Sequence, residues 1–200
     1  MKKSHLHFLF LLLICSVVQG QNPIYEFHDH DSIDKFLKGN QFEYNEDELF
    51  IFKEFEGFFN YTNEGYLRGP VVHVFDSNGL YLEYLKVSEV IDKLSNFKNI
   101  RKKPKKDAIN IDSWINRLVN YKTLTPLIKE ADKDYYFVLN WGIFFNKPHN
   151  IEALFKWNEV LQRQKLNGES IQIIVLNMDL QESWKLSSEQ QMDILKQANQ

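Results

Sequence analysis

The stretch from residue 135 to residue 179 constrains the fold most, because two apolar segments flank a helical pattern there. "YYFVLNWGIFF" (135–145) and "IQIIVLNMD" (171–179) each predict a buried strand, since short apolar runs rich in β-branched and aromatic residues are typical of such strands. Between them we expect a helix over 149–165 that ends before Gly168. This strand–helix–strand unit predicts two parallel neighbouring strands within an α/β fold.

The chain before this unit predicts a β-hairpin followed by a helix. "GPVVHVFDSNGLYLEYL" (69–85) contains a β-branched run and an Asn-Gly turn, which is typical of a hairpin. In "VSEVIDKLSNF" (87–97), apolar residues recur at helical spacing. Similar patterns predict further helices, in chain order a short one capped by Asp31, one over 46–56, one whose stripe runs from Ile111 to Leu118, and one over 187–198. Within 46–56, Phe50 and Phe52 also fit a strand, but the helix is favoured.

The first twenty residues are typical of a secretory signal peptide. Lys2 and Lys3 precede a short apolar run, and we expect cleavage between Gly20 and Gln21. The run is too short to span a bilayer, which needs about twenty apolar residues. No later segment is apolar for that length, so we expect an exported protein, periplasmic or extracellular, without stable membrane insertion. Lipid attachment at Cys15 is disfavoured because the large Ile14 precedes it.

The mature chain divides at a basic stretch. Residues 21–97 carry the hairpin and its helix, 98–110 form a basic linker containing "RKKPKK", and 111–200 carry the parallel unit, with 21–200 expected to form one domain. Loss of Lys2 and Lys3 with the leader changes the net charge from −3 to −5, which argues against nucleic acid as a partner. The basic run predicts either a solvated linker or a surface that docks on lipid headgroups or polysaccharide.

Sulfur chemistry is restricted by the position of the one cysteine. The chain contains Cys15 and no other cysteine, and Cys15 lies in the leader. The mature protein therefore contains neither a disulfide nor a thiol. Thiol–disulfide exchange requires a thiolate that attacks a disulfide sulfur, so we expect no such activity.

The segment 135–179 resembles the core of the thioredoxin-like fold, especially its exported branch of TlpA-like redoxins. In that family the first core strand ends in a motif of the form Phe-Trp-Ala-x-Trp-Cys-x-Pro-Cys. Laid on this sequence without a gap, the motif covers Trp141 to His149. Pro148 then stands at the family proline and Phe145 at the second aromatic residue, whereas Asn146 and His149 stand where the two cysteines belong.

The resemblance also implies a cis-proline, a hairpin and a helix after the parallel unit, but here the chain ends soon after Asp179. The hairpin and helix at 71–97 look like this missing half, with Pro70 as the candidate cis-proline. Either the two halves are circularly permuted within one sheet, or the carboxyl-terminal half is truncated. The permuted arrangement is favoured because a truncated one leaves exposed strand edges. An unrelated α/β fold is a third alternative.

Because redoxins bind extended polypeptide beside the cis-proline, the resemblance implies a non-enzymatic module that binds a peptide or scaffolds a partner protein. Its binding face would comprise six residues: Pro70, Trp141, Asn146, Lys147, Pro148 and His149. We expect no catalytic residue, cofactor or bound metal. The alternative is an enzyme that uses His149, with a metal held through His28 and His30 and completed by His73 or His149.

Overall fold

The computed structural model describes residues 24–66, 69–145 and 148–199, with the side chains of Pro148 and His149 outside that description. The protein has an α/β architecture in which helices cover both faces of a six-stranded mixed sheet. The predicted leader and Cys15 lie outside the described residues. In the part of the chain that is described, no helix is both long enough and apolar enough to cross a bilayer.

The strands form one large sheet and one small pair. The large sheet has the order β4-β3-β6-β7-β2-β5. In it β6 and β2 run parallel to β7, whereas β3 is antiparallel to β4 and β6, and β5 is antiparallel to β2. The bounds are β1 (Phe27–His28), β2 (Leu49–Phe52), β3 (Val71–Asp76), β4 (Tyr81–Leu85), β5 (Leu118–Asn120), β6 (Tyr135–Trp141), β7 (Ile171–Asn177) and β8 (Leu180–Gln181). Strands β1 and β8 form a separate parallel pair.

The helices divide between the two faces of the sheet. Their bounds are α1 (His30–Gly39), α2 (Phe55–Asn63), α3 (Val90–Ser95), α4 (Asp112–Ile115), α5 (Pro148–Leu166) and α6 (Ser188–Ala198). Helices α1, α3 and α5 pack on one face, and α2, α4 and α6 pack on the other. Each face buries its own apolar cluster, so the sheet is covered on both sides.

The alternation of side chains along β6 supplies both clusters. Phe137 and Leu139 belong to the cluster under α1, α3 and α5, whereas Tyr136 and Val138 belong to the other. This is the period-two pattern of a strand whose two faces are both buried. Strand β7 alternates in the same way, which explains why both segments have continuously apolar sequences.

Several sequence predictions are confirmed. Strands β6 and β7 pair in parallel from Tyr135 opposite Ile171 to Trp141 opposite Asn177, and α5 connects them. The hairpin is confirmed as β3 and β4, and the helix after it as α3. The last helix begins after Ser187, whose side chain accepts from the Gln190 N–H in a capping box.

The prediction of a helix over 46–56 is wrong. Residues 46–48 form a 3-10 turn, 49–52 form β2, and α2 begins only at Phe55. Leu49 and Ile51 enter one apolar cluster while Phe50 and Phe52 enter the other. A strand buried on both faces reads as a short apolar run, which periodicity cannot distinguish from a buried helix.

Two smaller corrections concern helix ends. The stripe from Ile111 to Leu118 does not form one helix, because α4 has four residues and Leu118 begins β5. The cap of α1 is Asp29 rather than Asp31, since the Asp29 carboxylate accepts from the Ser32 N–H at 2.8 Å. Asp31 lies in the first turn of α1, where its charge suits the helix dipole.

A carboxylate joins α1 to the far edge of the sheet. Asp34 of α1 accepts hydrogen bonds from the Tyr121 hydroxyl at 2.7 Å, the Tyr44 hydroxyl at 3.3 Å and the Lys38 ammonium at 3.1 Å. Burial alone would raise the pKa of Asp34, but these hydrogen bonds, led by that from Tyr121, lower it below its ordinary value of 3.8. The ionised form is therefore favoured in the folded protein.

Asp34→Asn should make the free energy of unfolding less dependent on pH at acidic pH. A carboxyl whose pKa is lowered by folding contributes stability above its unfolded pKa of 3.8, and that contribution is lost as the pH falls through the folded pKa. Urea unfolding between about pH 5 and pH 3 should therefore show a shallower loss of unfolding free energy in the variant than in the natural protein. Asp193→Asn, on the exposed side of α6, is the control. Equal slopes in all three proteins would contradict this role of Asp34.

Candidate functional site

The loop before β3 and the end of β6 meet at one edge of the sheet. Register pairs Val71 with Asn140, so Pro70 and Trp141 stand opposite each other at the next position. The Gly69–Pro70 peptide bond is cis, as the resemblance implies for this proline. Two of the six predicted binding-face residues, one on each side of the basic stretch, are thereby brought together.

These two residues line an apolar depression between the sheet and helices α1 and α5. Its cavity volume is only about 10 Å³, so the lining side chains nearly fill it, and it is partly open to solvent. Trp141 is 3% exposed, and its ring stacks on that of Phe36 at a centroid distance of 6.0 Å and an interplanar angle of 23°. The lining consists of Phe36, Pro70, Trp141, Gly142, Phe145, Asn150, Ile151 and Leu154. The depression therefore offers mostly aromatic and aliphatic carbon.

The turn that leads from β6 to α5 is held by a buried carboxylate. Asp179, which follows β7, is 2% exposed. It accepts from the Ile143 N–H at 2.9 Å through Oδ2 and from the Phe144 N–H at 3.2 Å through Oδ1. The Asn177 side-chain amide donates to Oδ2 at 2.6 Å. Asp179 thus fixes the backbone that positions Phe145 at the depression.

The charge of Asp179 is shaped mainly by its burial. Burial raises the pKa of Asp179 above its ordinary value of 3.8, although the donated hydrogen bonds and the nearby His28 oppose the shift. Burial, together with the negative charge of Asp179, raises the pKa of Tyr25 to about 12, so this phenol keeps its proton at neutral pH. The Tyr25 ring packs on Phe144 at a centroid distance of 4.7 Å, which covers the turn from outside.

Two glycines permit the close packing of the turn and the loop that carries Pro70. A Cβ on Gly69 would lie 1.9 Å from a ring carbon of Phe145, and a Cβ on Gly142 would lie 2.6 Å from a ring carbon of Phe144. Both distances are far below van der Waals contact. The Asn150 side-chain amide donates to the Phe145 carbonyl oxygen at 2.9 Å and joins the turn to the first turns of α5.

The indole N–H of Trp141 is buried without an acceptor in the described part of the chain. A buried donor without a partner costs about 1–3 kcal/mol relative to a satisfied one. The Trp114 N–H is in the same condition, but it lies within the aromatic cluster on the other face of the sheet. Trp141 differs because its residue lines a depression that opens to solvent.

The structure describes the other four predicted face residues only in part. Asn146 and Lys147 lie outside the described residues. The backbone of Pro148 and His149 begins α5, as the motif implies, and nothing is described of their side chains. Their part in binding stays a prediction.

The histidines proposed for a metal occupy different surroundings. His28 lies in β1 near Asp179, and the ring of His30 stacks on Tyr121 at 5.9 Å. His73 is 1% exposed, and its Nε2 lies 3.3 Å from the Asn140 amide nitrogen. Within 24–66, 69–145 and 150–199, no three histidine, cysteine, aspartate or glutamate side chains are grouped to hold a metal ion. The role of His149 in an enzyme stays a prediction.

Sequence reasoning missed Phe36, Asp179, Ile151 and Leu154. A signal for Asp179 was present, because a carboxylate directly after a buried parallel strand lies at the sheet edge where sites form. Ile151 and Leu154 belong to the helical stripe of α5, which also predicts ordinary core packing. Phe36 comes from a helix about a hundred residues earlier, and no local pattern indicates that contact.

Asp179→Ala should destabilise the protein by about 3 kcal/mol, because it leaves the two backbone N–H groups and the Asn177 amide buried without their acceptor. Urea unfolding measures the loss. Asp193→Ala on exposed α6 is the control and should change stability by less than about 0.5 kcal/mol. A loss below about 1 kcal/mol for Asp179→Ala would show that the carboxylate does not hold the turn.

Gly69→Ala should destabilise the protein by about 2 kcal/mol, since its methyl group would overlap the Phe145 ring. Phe145→Ala removes that ring, so the double variant should lose less than the two single losses added together. A double-mutant cycle on unfolding free energies should therefore give a coupling of about 1 kcal/mol or more. Strict additivity would mean that the loop and the turn do not pack together as described.

Comparison of the chain with protein-family models, with curated proteins and with solved structures found no match. The site is therefore characterised by its geometry. It combines a cis-proline opposite a buried tryptophan, an apolar lining drawn from α1 and α5, and a turn fixed by Asp179.

Proposed function

We propose that this protein is an exported, non-enzymatic binding module with a permuted thioredoxin-like fold, and that it holds an extended segment of a partner polypeptide in the depression beside Pro70. The carrying observation is that Pro70 and Trp141, two residues of the binding face that the resemblance implies, line the same apolar depression. The resemblance adds that redoxins bind extended polypeptide beside this proline. The leader pattern supports export.

The strand arrangement supports the permuted fold. In the family that the chain resembles, a cis-proline, a hairpin and a helix follow the parallel unit. Here Pro70, the β3–β4 hairpin and α3 come before it in the chain. Nevertheless β3 pairs directly with β6 along its length, and α3 packs on the same face as α5. A truncated fold would leave the parallel pair with open edges, whereas here β3 lies beside β6 and β2 lies beside β7.

The absence of cysteine after residue 15 supports binding rather than redox catalysis. Residues 16–200 contain no cysteine, so a protein cleaved after Gly20 has no thiolate to attack a disulfide. Two of the three aromatic positions of the motif carry aromatic residues, Trp141 and Phe145, and Gly142 stands at the third, while the cysteine positions carry Asn146 and His149. A face that keeps its apolar contacts and lacks its reactive atoms is suited to holding a polypeptide.

The dimensions and chemistry of the depression favour an apolar side chain as its occupant. Its cavity volume of about 10 Å³ lies far below the range of roughly 300–1,000 Å³ that is typical of pockets for drug-sized molecules. An apolar side chain of an extended segment would therefore pack against the lining from outside rather than enter a preformed cavity. Once the lining side chains move to expose the buried Trp141 N–H, a carbonyl oxygen of the same segment would supply the acceptor that it lacks among the described residues. An apolar residue within an extended peptide meets both requirements.

The test compares Ile151→Asp with Leu166→Asp in binding to peptides selected from a random display library. Ile151 lines the depression near the start of α5, while Leu166 at its end is 87% exposed, so both variants make a similar change on one helix. A carboxylate in the apolar depression should weaken binding about thirtyfold, equivalent to roughly 2 kcal/mol. Titration calorimetry should show no comparable loss for Leu166→Asp.

Both variants should remain folded. Ile151 lies in the first turns of α5, where an added negative charge is favourable to the helix dipole, and Leu166 is in contact with solvent. Urea unfolding checks this. Selected peptides that bind Ile151→Asp as tightly as the natural protein would overturn the proposed site, and failure of the library to yield any binder would overturn peptide binding as the function.

A further inference from the structure

A basic segment is fastened along the outer edge of the sheet, beside β4. The Arg101 N–H donates to Glu83 Oε1 at 2.8 Å, and the Tyr81 N–H of β4 donates to the Ile109 carbonyl oxygen at 2.9 Å. Leu80 and Asn110 form an isolated antiparallel bridge. The stretch predicted as a linker is therefore tied to the sheet near both of its ends.

Lys102 fastens the middle of this segment. Its ammonium donates to the Phe97 carbonyl oxygen at 2.9 Å and to the Tyr135 hydroxyl at 2.7 Å, and it lies 5.3 Å from the centroid of the Tyr135 ring. The Arg101 Nε–H donates to the Lys103 carbonyl oxygen at 2.7 Å, which shapes the backbone further. Lys102 thus has a structural role.

The neighbouring cations form a surface that we name the basic patch: Lys98, Arg101, Lys103, Lys105 and Lys106. All five residues are exposed, and none of them belongs to an ion pair among the described residues. Glu83, which accepts a hydrogen bond from the Arg101 backbone N–H, is paired with Lys93 at 2.7 Å, and Asp107 is the one acid within the run. Five like charges are therefore held together on a chain whose net charge is negative.

We propose that the basic patch docks the protein on a membrane surface that contains anionic lipid headgroups. Fixing like charges near one another lowers stability through repulsion, and a surface of negative charge relieves it. Each lysine or arginine near such a surface strengthens attachment about fivefold at low ionic strength. The patch shares no residue with the depression beside Pro70, so docking does not depend on the proposed function.

The composition of the patch favours lipid over other anions. Four of its five members are lysines, which act as hydrated point charges, whereas sites that recognise a fixed phosphate geometry favour the planar fork of arginine. Single-stranded nucleic acid binding requires aromatic faces on which bases stack. Here Phe97 is buried, and Lys102 lies over the Tyr135 ring. A fluid headgroup surface needs only exposed charge.

The experiment is sedimentation of the protein, expressed without residues 1–20, with vesicles of phosphatidylcholine containing about one third phosphatidylglycerol, a fraction chosen to give a clear anionic surface potential. Lys98→Gln, Lys103→Gln, Lys105→Gln and Lys106→Gln are combined in the test variant. The control variant combines the same change at exposed lysines elsewhere: Lys35, Lys53, Lys156 and Lys196. Both variants have the same net charge.

The natural protein and the control variant should sediment with the anionic vesicles and not with pure phosphatidylcholine, and about 0.5 M salt should release them. The test variant should bind roughly several hundredfold more weakly and should have a higher unfolding midpoint in low salt, because repulsion is removed. Equal binding by both variants would overturn the proposal. If the natural protein does not bind the anionic vesicles, the proposal is overturned as well, whether or not the protein binds soluble nucleic acid or acidic polysaccharide.

Discussion

The antiparallel pairing of β3 with β6 is the interaction on which the rest of the structure depends. It joins a hairpin from the first half of the chain to the parallel unit of the second half. Its register places Val71 opposite Asn140. Pro70, which precedes Val71, is then opposite Trp141, the next residue along β6. A slip by one residue would exchange the faces of every side chain on β3 and separate the two residues of the depression.

Buried polar groups on the far face help to specify that register. Asn140 is fully buried, and its amide nitrogen donates to the Tyr61 hydroxyl at 2.9 Å and to the Tyr66 carbonyl oxygen at 3.1 Å. His73 of β3 lies against the same amide and against the Tyr81 hydroxyl. Because buried polar groups are costly unless hydrogen bonded, the alternatives to this pairing are disfavoured. The end of β6 therefore presents a fixed Trp141 on one face and a satisfied Asn140 on the other.

The sequence was most informative where local pattern and burial agree. The apolar runs of β6 and β7, the Asn-Gly turn of the hairpin and the cap at Ser187 each have a local physical cause. Strand β2 was not predicted, because a strand buried on both faces has no alternation to distinguish it from a helix. Its position between β7 and β5 is a property of the whole sheet.

The candidate site was predictable in the same uneven way. Trp141 was indicated by the motif and Pro70 by the wider resemblance, and the register brings them together. Phe36 and Asp179 were missed because their roles arise from contacts that cross most of the chain. A carboxylate that accepts backbone N–H groups of another loop can be recognised only when the loop is seen beside it. Part of the site can therefore be predicted from local sequence, and long-range contacts bring in the remaining residues.

The central claim is that an extended polypeptide occupies the depression beside Pro70, and that one of its carbonyl oxygens accepts a hydrogen bond from the Trp141 N–H. The chain has four tryptophans, so four indole N–H resonances report separately in a ¹H–¹⁵N spectrum of the labelled protein. On titration with a selected peptide, the Trp141 resonance should move downfield and show contacts to the peptide, while that of Trp114 in the closed aromatic cluster should stay in place. A bound peptide that leaves the Trp141 resonance unchanged would contradict the account.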